Sequence, residues 1–426
     1  MSFYITEDSQ YLNRFVNKKF PNNVSLVKFS NKSKTLLEQL LKTIAFGNIE
    51  YKKTDIKSQW IHIGHDTVFP RGYNYNYCKD NIKREIENMD KISCIYTIKI
   101  KNREFQVSFI APNNFPNIEN YFEQSIKLVY IWLYLACKYS PAKCSHKINI
   151  YLYLTPLKKC LPTSSYYIDE NHANTAFTTS CKTITEINIF RQEEWFKVLI
   201  HETFHCMGLD FSEFEQTKID NYVLSIFPVS ADVRLFETYC EMWAEIINTL
   251  IISFISYKNY NDIENITIEH TNKMIKNCEK LLEIEQTFSL FQCAKVLKFF
   301  DLEYTDLYEL HCKYKRDSNY KEGTQVLSYY ILKCIYMFHV NEFIEWCANH
   351  NSSAIINFNK QPHLVENNMY EYFLFIREHY KNPEFINAVN HMLSWFHKTQ
   401  KKLSKSLRNV DKFELKTLRM SIHEII

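Results

Sequence analysis

His201, Glu202 and His205 stand in the order His-Glu-Thr-Phe-His. On a helix, two imidazoles at this spacing share one face and can offer two nitrogen donors to one zinc ion. The carboxylate beside the first histidine is then placed to take a proton from water at the metal. A catalytic zinc needs a third protein ligand and an open fourth position. Glu237, Glu241 and Glu245 follow at intervals of four in a stretch free of Gly and Pro. They share one helical stripe, where like charges repel unless a cation or buried partners hold them. A solvated acidic stripe is the competing reading. Against it stand Leu235, Phe236, Trp243, Ile246 and Ile247, which point to a buried helix. Asp210, just beyond Gly208, is a further candidate ligand.

The elements around these residues must place them. Ile187 and Ile189 alternate with Glu186 and Asn188 at strand period. A polar turn with Glu193 and Glu194 precedes a helix whose apolar side includes Trp195, Val198, Leu199 and Ile200. Gly208 is a natural stop for that helix. Ser230 reads as an N-cap, with Asp232 in the first turn of the acidic helix. Upstream, 94–100 and 104–110 predict two strands around a turn at Lys101-Asn102-Arg103, 118–138 a helix, and 146–155 another strand. The polar stretch 161–180 reads as a surface loop, with Asn174 to Thr178 the candidate lip for an extended substrate. His172 reads as a solvent-exposed loop residue.

Glu241-Met-Trp-Ala-Glu245 resembles the Glu-x-x-Ala-acid segment of gluzincins, a branch of the zincin metallopeptidases that includes lethal-factor-type toxin peptidases and membrane-bound prenyl-protein proteases. The resemblance spans residues 184–245 and rests on two short motifs. The whole chain is also similar to uncharacterised zincin-like proteins of large DNA viruses, a likeness that rests on the stretch Trp195 to Phe211. The resemblance implies a zincin-like catalytic core of mixed sheet and metal-bearing helix; with the stretch from 256 onward, nearly free of Gly and Pro and read as mainly helical, the expected fold class is α+β. The resemblance also implies Zn2+ held by His201, His205 and Glu241, with Glu245 orienting the histidines. A shifted register gives those two roles to Glu237 and Glu241. Glu202 is then the general base of peptide hydrolysis, and the partner is a peptide or protein substrate. Arg234 and Tyr239 are candidates for the oxyanion donor. The alternative function is a non-catalytic, zinc-stabilised virion or host-interaction protein.

The chain has 426 residues, 46% of them hydrophobic and 15% aromatic, enough to bury a large core. The expected division is a small α/β region over 1–90, the catalytic core over 91–255 and helices over 256–426. Net charge is +3 and no dense Lys/Arg block stands out, which gives no case for nucleic acid. The mildly basic stretch Lys398 to Lys416 reads as a solvated helix face. With five glycines there is no glycine-rich nucleotide loop. Thirteen cysteines without a Cys-x-x-Cys pair read as free thiols of a reducing compartment. Cys206 is expected to pack away from the histidine face. The longest apolar run, Leu128 to Cys137, is too short for a membrane span. With no secretory signal at the N-terminus, the expectation is a soluble cytoplasmic protein, in the host cytoplasm or virion if viral.

Overall fold

Alternation builds the sheet. Cys94, Tyr96, Ile98 and Ile100 point to one face, joined there by Phe105, Val107, Phe109, Ile148, Ile150, Leu152, Ile187 and Ile189, all buried. The strands are β1 (Lys57–Ile63), β2 (Lys91–Ile100), β3 (Arg103–Pro112), β4 (Lys147–Tyr153), β5 (Ala176–Thr178) and β6 (Ile184–Ile189). They form one mixed sheet in the order β1-β2-β3-β4-β6-β5. The β3–β4 and β4–β6 pairs are parallel, the others antiparallel. The computed structural model describes residues 5–19, 27–63, 69–351, 353, 355–405 and 413–425.

Helices α1 (Glu7–Lys19), α2 (Asn31–Lys53), α3 (Asp80–Asn88), α4 (Ile118–Tyr139) and the single turn α5 (Glu170–Ala173) precede or interrupt the strands. After β6 the chain is helical. It runs through α6 (Trp195–Cys206), α7 (Thr217–Ile226), α8 (Leu235–Ile255), α9 (Ile268–Phe299), α10 (Lys313–Asn319), α11 (Lys333–Phe338), α12 (Val340–His350), α13 (Val365–His379), α14 (Pro383–Lys405) and α15 (Phe413–Lys416). Helices α4 and α6 lie on the same sheet face, and Trp132 of α4 stacks on Phe204 of α6 with centroids 5.9 Å apart. The expected strands and helices between 94 and 206 are all present, with β5 as an added edge strand.

Two expectations about organisation are corrected. Residues 1–90 are not a separate unit: β1 pairs with β2 over its whole length, and α2 packs on α4, α8, α9 and α12. One apolar cluster runs from Leu12 to Ile425, while residues 69–86 cover the opposite sheet face through Phe69, Tyr75, Ile82 and Ile86. Helix α8 begins at Leu235, not after Ser230. Arg234 precedes it with no side-chain cap. From Glu237 to Ile255 every residue of α8 is buried, so its position is set by core packing on both sides. Each large apolar side chain buried there contributes about 1.5–3 kcal/mol. Among the described residues, no helix is long and apolar enough to cross a membrane. The basic stretch expected on a solvated face falls partly in 406–412, outside the described residues, while Glu414 and Leu415 of α15 are buried.

The cysteines also depart from expectation at one pair. Cys144 and Cys181 form a disulfide across 37 residues, and eleven other cysteines are free. The bond lies against Gly208, where a Cβ would stand 2.7 Å from Cys144 Sγ and φ is +60°. Both facts require glycine. The cross-link therefore abuts the C-terminal end of α6. Closing a loop of this length removes about 4 kcal/mol of unfolded-state entropy. A dithiol reductant should lower the thermal midpoint by several degrees, and a Cys144→Ser/Cys181→Ser variant should unfold low with no further response to reductant. A wild-type midpoint indifferent to reductant would show that the bond adds nothing.

Candidate metal centre

Helix α6 follows β6 directly. Its entry is fixed by Thr155 Oγ1 donating to the Phe190 carbonyl at 2.6 Å, and by Arg191, which donates to the carbonyls of Lys158, Asn171 and Asn174. Glu193 and Glu194, expected as acids favoured at a helix N-terminus, are buried. Glu193 accepts from the Lys159 amide, and Glu194 from the amides of Met420 and Ser421 while pairing with Lys159 at 2.9 Å. They anchor distant chain rather than cap the helix.

On α6, His201, Glu202 and His205 are all buried, and the two histidines face α8. Nε2 of His201 lies 3.1 Å from Nε2 of His205 and 3.0 Å from Oε2 of Glu237. Nε2 of His205 is 3.6 Å from that same oxygen. Three donor atoms thus converge, and they belong to His201, His205 and Glu237. Glu241 is not among them. Its Oε1 sits 2.9 Å from Nδ1 of His201, and its Oε2 contacts Lys197. Asp210 takes the matching position on the other ring, 2.5 Å from Nδ1 of His205. Glu245 points away from the histidines and pairs with Lys333. The geometry therefore places the convergence one helical turn earlier than Glu241 and Glu245, in the register Glu237 and Glu241. The reason is direction: α6 and α8 run antiparallel, so Lys197 meets Glu241 while His205 meets Glu237.

The ring protons follow from these contacts. Nδ1 of His205 donates to Asp210, and Nδ1 of His201 has the Glu241 carboxylate 2.9 Å away as an ion-pair contact; a carboxylate beside each Nδ1 favours the proton there and leaves each Nε2 a bare lone pair. Two such lone pairs and a carboxylate oxygen facing one another repel, unless a cation or extra protons lie between them. The donor set fits zinc, which takes imidazole and carboxylate. Without metal, protons fill the role. Burial alone would lower the His201 pKa, but Glu241 and Glu237 hold it up at about 9. His205 is likewise raised well above 6.5 against burial, by Cys240, Asp210 and Glu237 in that order.

Glu202 takes part in no hydrogen bond or ion pair among the described residues. With His201, Glu241 and Tyr329 it borders a small cavity of about 30 Å³, walled also by Lys159, Val198, Ala176 and Met420. That is room for a water molecule. Burial raises the Glu202 pKa, opposed by the two histidines. Tyr329 sits on a π-helical turn, Leu327–Leu332, and donates to Glu237 Oε2 at 3.3 Å. Sequence reasoning missed it, since it lies in an apolar run more than a hundred residues beyond the motif, with no spacing cue. Arg234 instead pairs with Asp232 at the surface, and the Tyr239 hydroxyl donates to the Ile356 carbonyl. Neither faces the site. His172 accepts from the Asp169 amide within α5, and Cys206 packs in the core.

The raised ring pKa values have a measurable sign. A group whose folded pKa exceeds its unfolded value binds its proton more tightly in the native state, a contribution lost as pH rises through the folded value. A metal must displace those protons. Zinc binding at pH 7 should release at least one proton per ion from the Nε2 atoms of the two rings, a release that falls as pH passes about 9. Calorimetry in buffers of differing ionisation enthalpy counts the protons. No release at pH 7 would mean that both rings are neutral in the free protein.

No protein-family model, curated protein or solved structure matches this chain.

Proposed function

We propose that this protein is a zinc-dependent peptidase of the gluzincin type, with zinc held by His201, His205 and Glu237. The observation that carries the reading is the meeting of two Nε2 atoms and one carboxylate oxygen within 3.6 Å, each ring backed by a second carboxylate. Buried acceptors so arranged call for a cation. The order of elements supports it: strands β2 and β3, helix α4, strands β4, β5 and β6, then the metal-bearing helix α6, as the resemblance to zincins implies. Strand β5 is antiparallel to β6, stands at the edge of the sheet and contacts α6. An extended peptide could add there through its backbone.

Zinc bound at this site would supply Lewis acidity to a peptide carbonyl and to water. Glu202, raised in pKa by burial and facing the small cavity, takes the proton of the attacking water and passes it to the leaving nitrogen. Its place beside His201, outside the converging donors, leaves it free for that work. The Tyr329 hydroxyl stands next to the metal ligand Glu237 and is the side chain placed to donate to the developing oxyanion. Asp210 and Glu241 hold the two rings in one tautomer and one orientation.

A second reading is a zinc-stabilised protein without catalysis. The enclosure of the site favours it, since His201, Glu202, His205, Glu237 and Tyr329 are each less than a tenth exposed. The free carboxylate of Glu202 favours catalysis, because a structural site has no use for a base there.

Purified protein should carry about one zinc per chain, and His201→Ala/His205→Ala should carry none. Glu237→Ala should lose tight binding, whereas Glu241→Ala and Asp210→Ala should weaken it about 10–100-fold. Metal retained in Glu237→Ala but lost in Glu241→Ala would restore the other register. Glu202→Gln should keep zinc and fold while abolishing cleavage of any peptide that wild type cuts. Tyr329→Phe should cut turnover about 10²–10³-fold. A peptide library left intact by zinc-loaded wild type would favour the non-catalytic reading.

A further inference from the structure

Lysine is an expensive residue to bury, and α6 buries one a single turn before the first histidine. Lys197 is 2% exposed. Its ammonium contacts Oε2 of Glu241, whose other oxygen lies 2.9 Å from Nδ1 of His201. The neighbouring acids have their own partners. Glu194 is held by Lys159 and two backbone amides, and Glu245 by Lys333. Lys197 is thus the cation that faces Glu241. A methionine would fill the same space at far lower desolvation cost, so packing alone does not account for a lysine here.

We infer that Lys197 is a positioning residue for the metal centre, which fixes Glu241 so that its second oxygen locks the ring of His201. A carboxylate on a flexible two-carbon stem has several orientations inside a cavity. With one oxygen pinned by Lys197, the other is aimed at Nδ1, and the lone pair of Nε2 is turned toward His205 and Glu237. The relay runs Lys197, Glu241, His201 across two antiparallel helices. Lys197 touches no ligand atom, and its effect passes wholly through Glu241. This role rests on the metal reading above.

The test uses the full chain, stripped of metal and titrated with Zn2+ for affinity and Co2+ for its visible d–d bands. Lys197→Met should weaken zinc binding about 10–100-fold, the range for partners behind a ligand, and shift the cobalt bands. Lys197→Arg, which keeps the ion pair, should restore affinity to within about threefold of wild type. In a Glu241→Gln background, Lys197→Met should add less than about twofold, because the relay is already cut. Lys333→Met removes an equally buried lysine from Glu245 without touching a histidine, and should leave zinc affinity and cobalt bands unchanged.

The proposal is overturned if Lys197→Met binds zinc as wild type does, if its effect multiplies fully with that of Glu241→Gln, or if Lys333→Met loses as much. Should Lys197→Met fail to fold, Lys197→Gln replaces it with the same expectations. Wild type and His201→Ala binding zinc equally would overturn the metal centre itself. That outcome is distinct from failure of the relay, in which wild type binds through His201 and Lys197→Met binds equally well.

Discussion

Charge buried between two helices must be matched charge by charge, and the centre of this molecule is arranged around that constraint. Helix α6 turns Lys197, His201 and His205 toward α8, which answers with Glu237, Glu241 and Glu245, and Glu202 is buried beside them. Lys197, His201 and His205 repeat every four residues, as do the three glutamates, so each set forms a stripe, and the stripes run antiparallel. An unpartnered ion at this depth would cost several kcal/mol. The pairs formed are Lys197 with Glu241, His201 with both Glu241 and Glu237, His205 with Asp210 and Glu237, and Glu245 with Lys333. Glu202 alone of these is left without such a partner among the described residues, and it borders the cavity.

The same constraint reaches the C-terminal segment. Residues 417–424 cross the interior, and side chains of the helices meet their backbone. Gln292 and Lys295 donate to the Thr417 carbonyl, Tyr330 to that of Leu418 and Lys333 to that of Met420. Glu285 accepts from the amides of Ile422 and His423. Buried backbone outside helix or sheet needs such partners. The segment brings Met420 to the wall of the cavity beside Glu202. Lys333 therefore serves both Glu245 and the backbone of this strap.

Much of this was legible in the sequence, and its limits have physical causes. Local pattern sufficed for the strands at 91–112, the helix at 118–139 and the helix at 195–206, because periodicity and turn chemistry are properties of neighbours. His201 and His205 were legible for the same reason. The choice among Glu237, Glu241 and Glu245 was not, since every four-residue step along α8 offers an equivalent acid. What decides is helix direction and the supply of cations: Lys197 claims Glu241, and Lys333, far along the chain, claims Glu245. Glu237 is left facing the imidazoles. Tyr329, the strap at 417–424 and the pairing of β1 with β2 are long-range facts with no local signature. The Cys144–Cys181 bond is another, since spacing alone does not reveal which thiols meet.

The central claim is that one cation belongs between Nε2 of His201, Nε2 of His205 and the Glu237 carboxylate. Crystals grown with zinc, measured on both sides of the zinc absorption edge, test it most directly. The account predicts a single strong anomalous peak about 2.0–2.2 Å from these three atoms, with Glu241 still on Nδ1 of His201. A peak ligated by Glu241 or Glu245, or no peak between the histidines at saturating zinc, would contradict it.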